Sequence, residues 1–139
     1  MSDVLFVCVH NAGRSQMAEA LWNRRAAELG IDSRAESAGT VAGGEINPTA
    51  RLVMEEIGIP MDGQFPKQLT QEMIDASPRV ITMGCGVDAD SCPARFYVTE
   101  DWGLDDPKGQ PVEKVREIRD EIRTRVNAAL MASATVGAV

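Results

Sequence analysis

Apolar residues follow a strand period in some parts of the chain and a helix period in others. Residues Asp3–Val9 are rich in Val, Leu and Phe, which favours a buried strand. From Ser15 the apolar residues recur every three or four positions until Gly30, a pattern typical of an amphipathic helix that ends at a glycine. The same period over Val115–Leu130 predicts a long C-terminal helix, which we expect to fray over Ala134–Val139.

Shorter elements fill the middle of the chain. Asn47 and Pro48 are a helix cap followed by a first-position proline, so they predict a helix that ends before Gly58. Thr70 predicts the cap of a short helix that continues to Ala76. The remaining apolar segments are predicted strands at Ser33–Ala38, Arg79–Met83 and Arg95–Val98.

This order of elements predicts an α/β fold. Strands that alternate with helices form an open, mostly parallel sheet, here four-stranded, with helices on both faces. A chain of 139 residues fits a single domain, residues 1–139. In such folds ligands bind beyond the carboxyl ends of the strands, so we expect the site at the loop after the first strand, where Cys8 stands.

Charge and composition narrow the possible functions. The formal net charge of −7 gives no electrostatic basis for binding nucleic acid or an anionic membrane. The apolar segments are too short for a membrane span or a signal peptide, so we expect a cytoplasmic protein. Three cysteines in a reducing compartment argue against a structural disulfide framework.

The loop after the first strand has the composition of an oxyanion site. Cys8 and Arg14 are separated by five residues, and Ser15 begins the following helix. Successive amides at such a strand-to-helix turn can form an anion nest, and Arg14 can bind two oxygens with its planar fork. This environment should hold the pKa of the Cys8 thiol below its ordinary value of about 8.5. The predicted oxyanion-binding residues are Val9, His10, Asn11, Ala12, Gly13, Arg14 and Ser15.

The same residues also allow purely structural roles. Cys8 can be a buried strand cysteine beside a surface arginine, with Ser15 acting only as a helix cap. The sequence contains one histidine, His10, and no Cys-x2-Cys pair, so it gives little support for a metal site. Asp105 or Asp106, before Pro107, is a candidate acid for a leaving oxygen, although such a segment is often a plain turn.

Several segments together resemble a known enzyme superfamily. Cys8, Arg14-Ser15 and Asp106-Pro107 resemble the low-molecular-weight tyrosine phosphatases, whose fold has flavodoxin-like winding. The residues 13–19, 37–39 and 101–107, with Cys85 and Cys92-Pro93, are more specifically similar to thioredoxin-coupled arsenate reductases on that scaffold. The similarity extends over the chain to about Leu130.

The resemblance implies a role for each of these residues. Cys8 is the nucleophile, Arg14 and Ser15 bind the oxyanion, Asp106 is the general acid, and Cys85 and Cys92 form a redox relay. Some members bind potassium through residues that match Asn11, Glu19 and Ser37, with an acidic side chain near position 67. Lys67 stands at that position here, so we expect no metal requirement.

The implied activity is reduction of arsenate to arsenite in arsenic detoxification. Cys8 attacks arsenate, Cys85 attacks the Cys8 sulfur of the adduct, and Cys92 then attacks Cys85. Cys85 and Cys92 are seven residues apart, about 10 Å along a helix, so a helical segment would have to unwind before they could join. Thiolate exchange requires no flavin or nicotinamide on this chain, and we expect thioredoxin as the reductant and a monomeric enzyme.

Three alternatives remain. A phosphomonoesterase would use the same loop and acid, but Lys108-Gly109 follows Pro107 where an aromatic residue would stack on a phenyl ring. A small thiol such as mycothiol or glutathione would replace thioredoxin in a related reductase. A non-catalytic redox sensor would need neither Asp106 nor the relay.

Overall fold

The computed structural model describes the backbone of residues 3–83 and 100–137, with side chains to residue 132. The predicted strand Arg95–Val98 lies outside these residues, as do Cys85 and Cys92. The elements are, in chain order, β1 (Val4–Cys8), α1 (Arg14–Leu29), β2 (Ala35–Gly39), α2 (Pro48–Glu56), α3 (Gln71–Asp75), β3 (Arg79–Thr82), β4 (Glu100–Asp101) and α4 (Val112–Gly137).

The strands form a parallel sheet in the order β2-β1-β3-β4. Val4 pairs with both Ala35 and Arg79, which makes β1 a central strand. Ile81 of β3 pairs with Glu100 of β4 at one edge. The α/β fold with a four-stranded parallel sheet is therefore confirmed, and the strand order is that of flavodoxin-like winding.

The core lies on both faces of β1, since all five of its residues are buried. Val4, Phe6 and Cys8 belong to the larger apolar cluster, which β1 shares with α1, α2 and α4. Leu5 and Val7 belong to a smaller cluster on the other face. The Cys8 side chain thus lies on the sheet face that α1 and α4 cover.

Most predicted helix limits and faces are correct. Gly30 ends α1 at a left-handed φ of 69°, and Asn47 caps α2 by accepting from the amides of Thr49 (2.9 Å) and Ala50 (3.1 Å). Thr70 caps α3 through the amide of Met73, at 3.2 Å. The predicted core face of α4 is buried throughout: Val115, Ile118, Ile122, Val126 and Leu130.

Two sequence predictions about helix ends were wrong. The residue that caps α1 is Gly13 and the helix begins at Arg14, so Ser15 is inside the first turn and caps nothing. The backbone of α4 stays helical to Gly137, into the segment Ala134–Val139 that was expected to fray, because the helix continues directly from the stretch Val115–Leu130 that is buried on the core. None of the described helices is both long and apolar enough to cross a bilayer.

Candidate active site

The loop of residues 9–13 connects the carboxyl end of β1 to the first turn of α1. Several of its carbonyl oxygens accept hydrogen bonds from backbone amides of the segment 40–47. Val9 O accepts from Val41 N at 2.8 Å, His10 O from Gly43 N at 2.8 Å, and Ala12 O from Asn47 N at 2.7 Å. None of the amides of residues 9–13 donates to an acceptor within the described ranges 3–83 and 100–132. The loop therefore has the arrangement of an anion nest: its carbonyl oxygens accept hydrogen bonds, and within those ranges its amides have no acceptor.

Close packing against β2 fixes this loop. A Cβ atom on Gly39 would lie 2.5 Å from Val9 O and 2.9 Å from the amide nitrogen of Asn11. Only glycine allows β2 to approach the loop so closely. Asn11 adopts a left-handed backbone with φ of 54°, which asparagine tolerates better than most residues and which turns successive amides to one side.

Asn11 and Ser15 lie beneath the loop rather than at its surface. Both are fully buried, and Asn11 Nδ2 donates to Ser15 Oγ at 2.8 Å. Since that hydroxyl already accepts a hydrogen bond from Asn11, its own hydrogen is left for a second acceptor. The side chains of Asn11 and Ser15 thus support the loop from inside, and binding of the oxyanion by these two residues stays a prediction that would involve their backbone amides.

Arg14 connects the loop to two distant segments. Its Nη1 atom donates to Met83 O at 3.1 Å and to Leu104 O at 2.8 Å. Its Nη2 atom lies 3.9 Å from Cys8 Sγ and 3.8 Å from Asp106 Oδ2. Buried Nε has no hydrogen-bond partner in the part of the chain that the structure describes. The Nε–Nη2 edge of the guanidinium is therefore the one that can bind two oxygens of an anion.

Asp105 and Asp106 point to different partners. Asp105 Oδ2 lies 2.8 Å from the Lys114 ammonium on α4, and the hydrogen bond and charge of Lys114 lower the pKa of Asp105. Asp106 lines the cleft above Cys8, and its Oδ1 accepts from the Lys108 amide at 3.0 Å. Of the two carboxylates, Asp106 is the one that faces the cleft.

The cleft beside Cys8 has a volume of about 490 Å³. It contains five of the seven predicted oxyanion-binding residues and the predicted acid, but not Asn11 or Ser15. Sequence reasoning missed the residues of its outer wall, although the Asn47-Pro48 helix start was a recognisable signal. The cleft is lined by Cys8, Val9, His10, Ala12, Gly13, Arg14, Gly43, Glu45, Asn47, Pro48, Asp106, Pro107 and Lys108.

Lys67 forms an ion pair near the loop. Its Nζ atom lies 3.3 Å from Glu19 Oε1, which also accepts from Ser37 Oγ at 3.0 Å. This ammonium supplies a positive charge beside Glu19 and Ser37, so the place is poorly suited to a potassium ion. Among the described residues no group of three or more His, Cys, Asp and Glu side chains has the arrangement of a metal site. Independence from potassium remains a prediction.

Comparison with known proteins agrees with this geometry. The chain is 40% identical to the arsenate reductase of Halalkalibacterium halodurans, with 88% of this chain and 91% of the relative covered. It is 36% identical to the glutaredoxin arsenate reductase of a Synechocystis species, over 91% and 94% of the two chains. The solved structure of a thioredoxin-dependent arsenate reductase from Corynebacterium glutamicum is 40% identical, with a TM-score of 0.75 over 99% of this chain and 63% of that chain.

The family assignment covers nearly the whole sequence. Residues 3–137 match the low molecular weight phosphotyrosine protein phosphatases. The match includes the loop of residues 9–13, the first turn of α1 and the segment that carries Asp106. This protein therefore belongs to the low molecular weight phosphotyrosine protein phosphatase family.

Proposed function

We propose that this protein is an arsenate reductase in which Cys8 is the nucleophile, Asp106 is the general acid, and Cys85 and Cys92 carry the disulfide outward to a thioredoxin-like reductant. The arsenate reductases among its relatives, at 36–40% identity, support the reaction. The proposal includes a monomer of one domain that acts in the cytoplasm, where reductants keep thiols reduced.

One observation carries the proposal: the guanidinium of Arg14 contacts Cys8, Asp106 and Met83 at once. It lies 3.9 Å from Cys8 Sγ, 3.8 Å from Asp106 Oδ2 and 3.1 Å from Met83 O. A positive charge at this distance favours the Cys8 thiolate. The nucleophile, the acid and the chain segment that leads to Cys85 therefore meet at one side chain.

In the first step the Cys8 thiolate attacks the arsenic atom of arsenate. The amides of the loop and the Nε–Nη2 edge of Arg14 bind the oxygens of the anion, where negative charge increases in the transition state. Asp106 protonates the departing hydroxide, which leaves as water. The product is a Cys8–arsenic(V) adduct.

In the second step Cys85 attacks the Cys8 sulfur. A sulfur–sulfur bond forms, the electron pair of the sulfur–arsenic bond stays on arsenic, and arsenite departs as arsenic(III). Met83, two residues before Cys85, is anchored beside the loop because its carbonyl accepts from Arg14. Two extended residues span at most about 7 Å, so this anchor supports an encounter between Cys85 and Cys8.

In the third step Cys92 attacks Cys85 and releases Cys8 as a thiolate. The two thiols of Cys85 and Cys92 have then supplied the two electrons of the reduction. An external dithiol reduces the Cys85–Cys92 disulfide by the same exchange. The C. glutamicum relative is described as thioredoxin-dependent and the Synechocystis relative as a glutaredoxin arsenate reductase, so both donors belong in the assay.

The test is NADPH oxidation with thioredoxin, thioredoxin reductase and arsenate. The wild-type protein should turn over continuously, whereas Cys92→Ser should release about one equivalent of arsenite and stop. Cys85→Ser should release none, because the adduct cannot be resolved. Sustained turnover by Cys92→Ser with thioredoxin would exclude the relay, and turnover only with glutaredoxin and glutathione, or with mycothiol, would replace the proposed donor.

A second candidate activity, phosphate monoester hydrolysis, is favoured by the size of the cleft. Its volume of about 490 Å³ is in the range of sites for whole small molecules and exceeds the need of one tetrahedral anion. Hydrolysis would use Cys8, Arg14 and Asp106 but neither Cys85 nor Cys92. Slow hydrolysis of an aryl phosphate should therefore survive in Cys92→Ser. Absence of both activities in the wild-type protein would favour the third alternative, a non-catalytic redox sensor or anion-binding protein.

A further inference from the structure

We propose that Gln16 is a positioning residue that holds the Cys8 loop in its anion-binding conformation. The proposal rests on the proposed function of that loop. Gln16 lies in the first turn of α1 and is fully buried. It does not line the cleft, so any effect on the chemistry must pass through other residues.

The amide nitrogen of Gln16 lies among three oxygen atoms. Gln16 Nε2 donates to Asn11 Oδ1 at 2.8 Å, Asn11 O at 3.1 Å and Phe65 O at 2.9 Å. Gln16 Oε1 accepts from Gln64 Nε2 at 2.7 Å. One side chain thus joins the oxyanion loop to the segment 64–67, which is about fifty residues away in sequence.

These partners leave Gln16 only one orientation of its amide. All three atoms near Nε2 are acceptors, so rotating the amide would place oxygen against oxygen in a buried site. A glutamate of the same shape would have the same defect and would add a negative charge. The position therefore requires a side chain that donates hydrogen bonds, and a side chain of the same shape without a donor does not suffice.

The contact with Asn11 transmits the effect to the nucleophile. Asn11 Oδ1 accepts from Gln16 Nε2 and from the Lys67 backbone amide at 2.9 Å, which directs Asn11 Nδ2 toward Ser15 Oγ. The Gln16 bond to Asn11 O also stabilises the left-handed backbone, with φ of 54°, on which the direction of the loop amides depends. Loss of Gln16 should therefore weaken both oxyanion binding and stabilisation of the Cys8 thiolate.

The test follows the reactivity of Cys8 alone, in a parent protein with Cys85→Ser and Cys92→Ser. The rate of alkylation by iodoacetamide is measured against pH, with and without inorganic phosphate as a protecting anion. For Gln16→Glu we expect the midpoint of the alkylation profile to move up by about one pH unit and the protecting phosphate concentration to rise about tenfold. Gln16→Met, which removes the hydrogen bonds without adding charge, should move both quantities in the same direction by less.

Asn23→Asp is the matched control on the same helix. Asn23 also makes a paired amide contact, with Ala35 N at 2.8 Å and Ala35 O at 3.1 Å, but it is seven residues further along, about 10 Å from Gln16. We expect Asn23→Asp to lower the thermal midpoint without moving the alkylation profile or the phosphate protection.

The possible outcomes separate this inference from the proposed function. An ordinary thiol profile and no phosphate protection in the parent protein would overturn the oxyanion loop itself. If the parent protein shows a lowered alkylation midpoint and phosphate protection, and Gln16→Met leaves both quantities unchanged, only the role of Gln16 would be overturned. If Gln16→Glu fails to fold, Gln16→Met decides the question.

Discussion

The guanidinium of Arg14 contacts four partners from three separate parts of the chain: Cys8, Met83, and Leu104 with Asp106. Two backbone carbonyls fix its Nη1 atom, so the side chain cannot turn away from the cleft. Lysine would keep the charge but could not satisfy both carbonyls and still offer a planar edge to an anion. At the scale of residues, the site depends on one fixed cation with an available edge.

Replacement of the two adjacent aspartates should separate their roles. Asp106→Asn removes the proposed acid from the cleft, so the single-turnover rate constant for arsenite release should fall by about a hundredfold or more while Cys8 alkylation persists. Asp105→Asn is the control, since Asp105 pairs with Lys114 at 2.8 Å, and its single-turnover rate constant should change by less than about threefold. The measurement is single-turnover arsenite release, and equal losses in both variants would remove Asp106 from the mechanism.

Gly13 should determine how closely the acid approaches the loop. A Cβ atom on Gly13 would lie 2.8 Å from Pro107 Cγ, too close for an undistorted structure. Gly13→Ala should push Pro107 and Asp106 outward and lower kcat about tenfold or more, because small displacements of catalytic groups are costly. Gly44→Ala is the control, since no heavy atom of the described residues, apart from its chain neighbours, lies within 4 Å of its added Cβ. Equal kcat values for the two variants would show that the Gly13–Pro107 contact is not needed.

At the scale of elements, α2 and α4 are joined by a buried arginine. Arg119 is 8% exposed and donates to Val53 O at 2.8 Å, in the last turn of α2, where carbonyls lack the regular partners of the helix interior. Arg119 also lies 3.3 Å from Glu56 Oε1. The carboxyl end of α2 is therefore closed by a side chain from α4, at the opposite end of α2 from the Asn47 cap beside the cleft.

Loss of this contact should cost more than loss of a surface pair on the same helix. Arg119→Ala should lower the free energy of unfolding by about 2 kcal/mol, because it removes a buried, charged hydrogen bond to a carbonyl at the end of α2. Arg125→Ala, which removes the exposed pair with Glu121 at 2.9 Å, should cost about 0.4 kcal/mol. Denaturant unfolding of the two variants measures the difference. Equal losses of unfolding free energy would contradict the larger contribution that we assign to Arg119.

At the scale of the whole molecule, an acidic protein must bind an anion. The net charge of −7 repels oxyanions at long range, so binding has to come from groups within contact distance. Several carboxylates are paired with cations across elements, among them Glu56 with Arg116 and Arg119, and Asp105 with Lys114. Because these pairs require ionised carboxylates, the free energy of unfolding of the whole protein depends on pH, in addition to the reactivity of the site.

Stability should fall in acid. The hydrogen bond and charge of Arg116 lower the pKa of Glu56 from 4.5, and Lys114 lowers the pKa of Asp105 from 3.8. A carboxylate whose pKa is lower in the folded state stabilises the fold above its unfolded pKa and loses that contribution as pH falls through the folded value. The free energy of unfolding should therefore decrease as the pH drops below about 4.5.

Glu56→Gln tests this assignment. The variant should be less stable at pH 7 and should show a smaller loss between pH 7 and pH 3 than the wild-type protein. Glu72→Gln is the control, because Glu72 has no ion pair within the described ranges. The same pH dependence in Glu56→Gln and wild type would contradict the role of Glu56. A single unfolding transition in these experiments would support the predicted single domain.

The sequence by itself determined the order of elements, the parallel sheet and the position of the Cys8 loop. These follow from local patterns, since the period of apolar residues, the Asn47 and Thr70 caps and the glycine after α1 act over a few neighbours. Cys8 and Arg14 could be identified for the same reason, because a strand-to-helix turn brings near neighbours in sequence to one place.

Only the tertiary structure decided how that loop is held. Gln16 bonds to Phe65, Arg14 to Leu104, and Gly13 faces Pro107, and each of these contacts joins residues about fifty or more positions apart. No local pattern encodes such pairs, because they exist only after the helices have packed on the sheet. The same packing buried the side chains of Asn11 and Ser15 beneath the loop, a placement that no local pattern indicated.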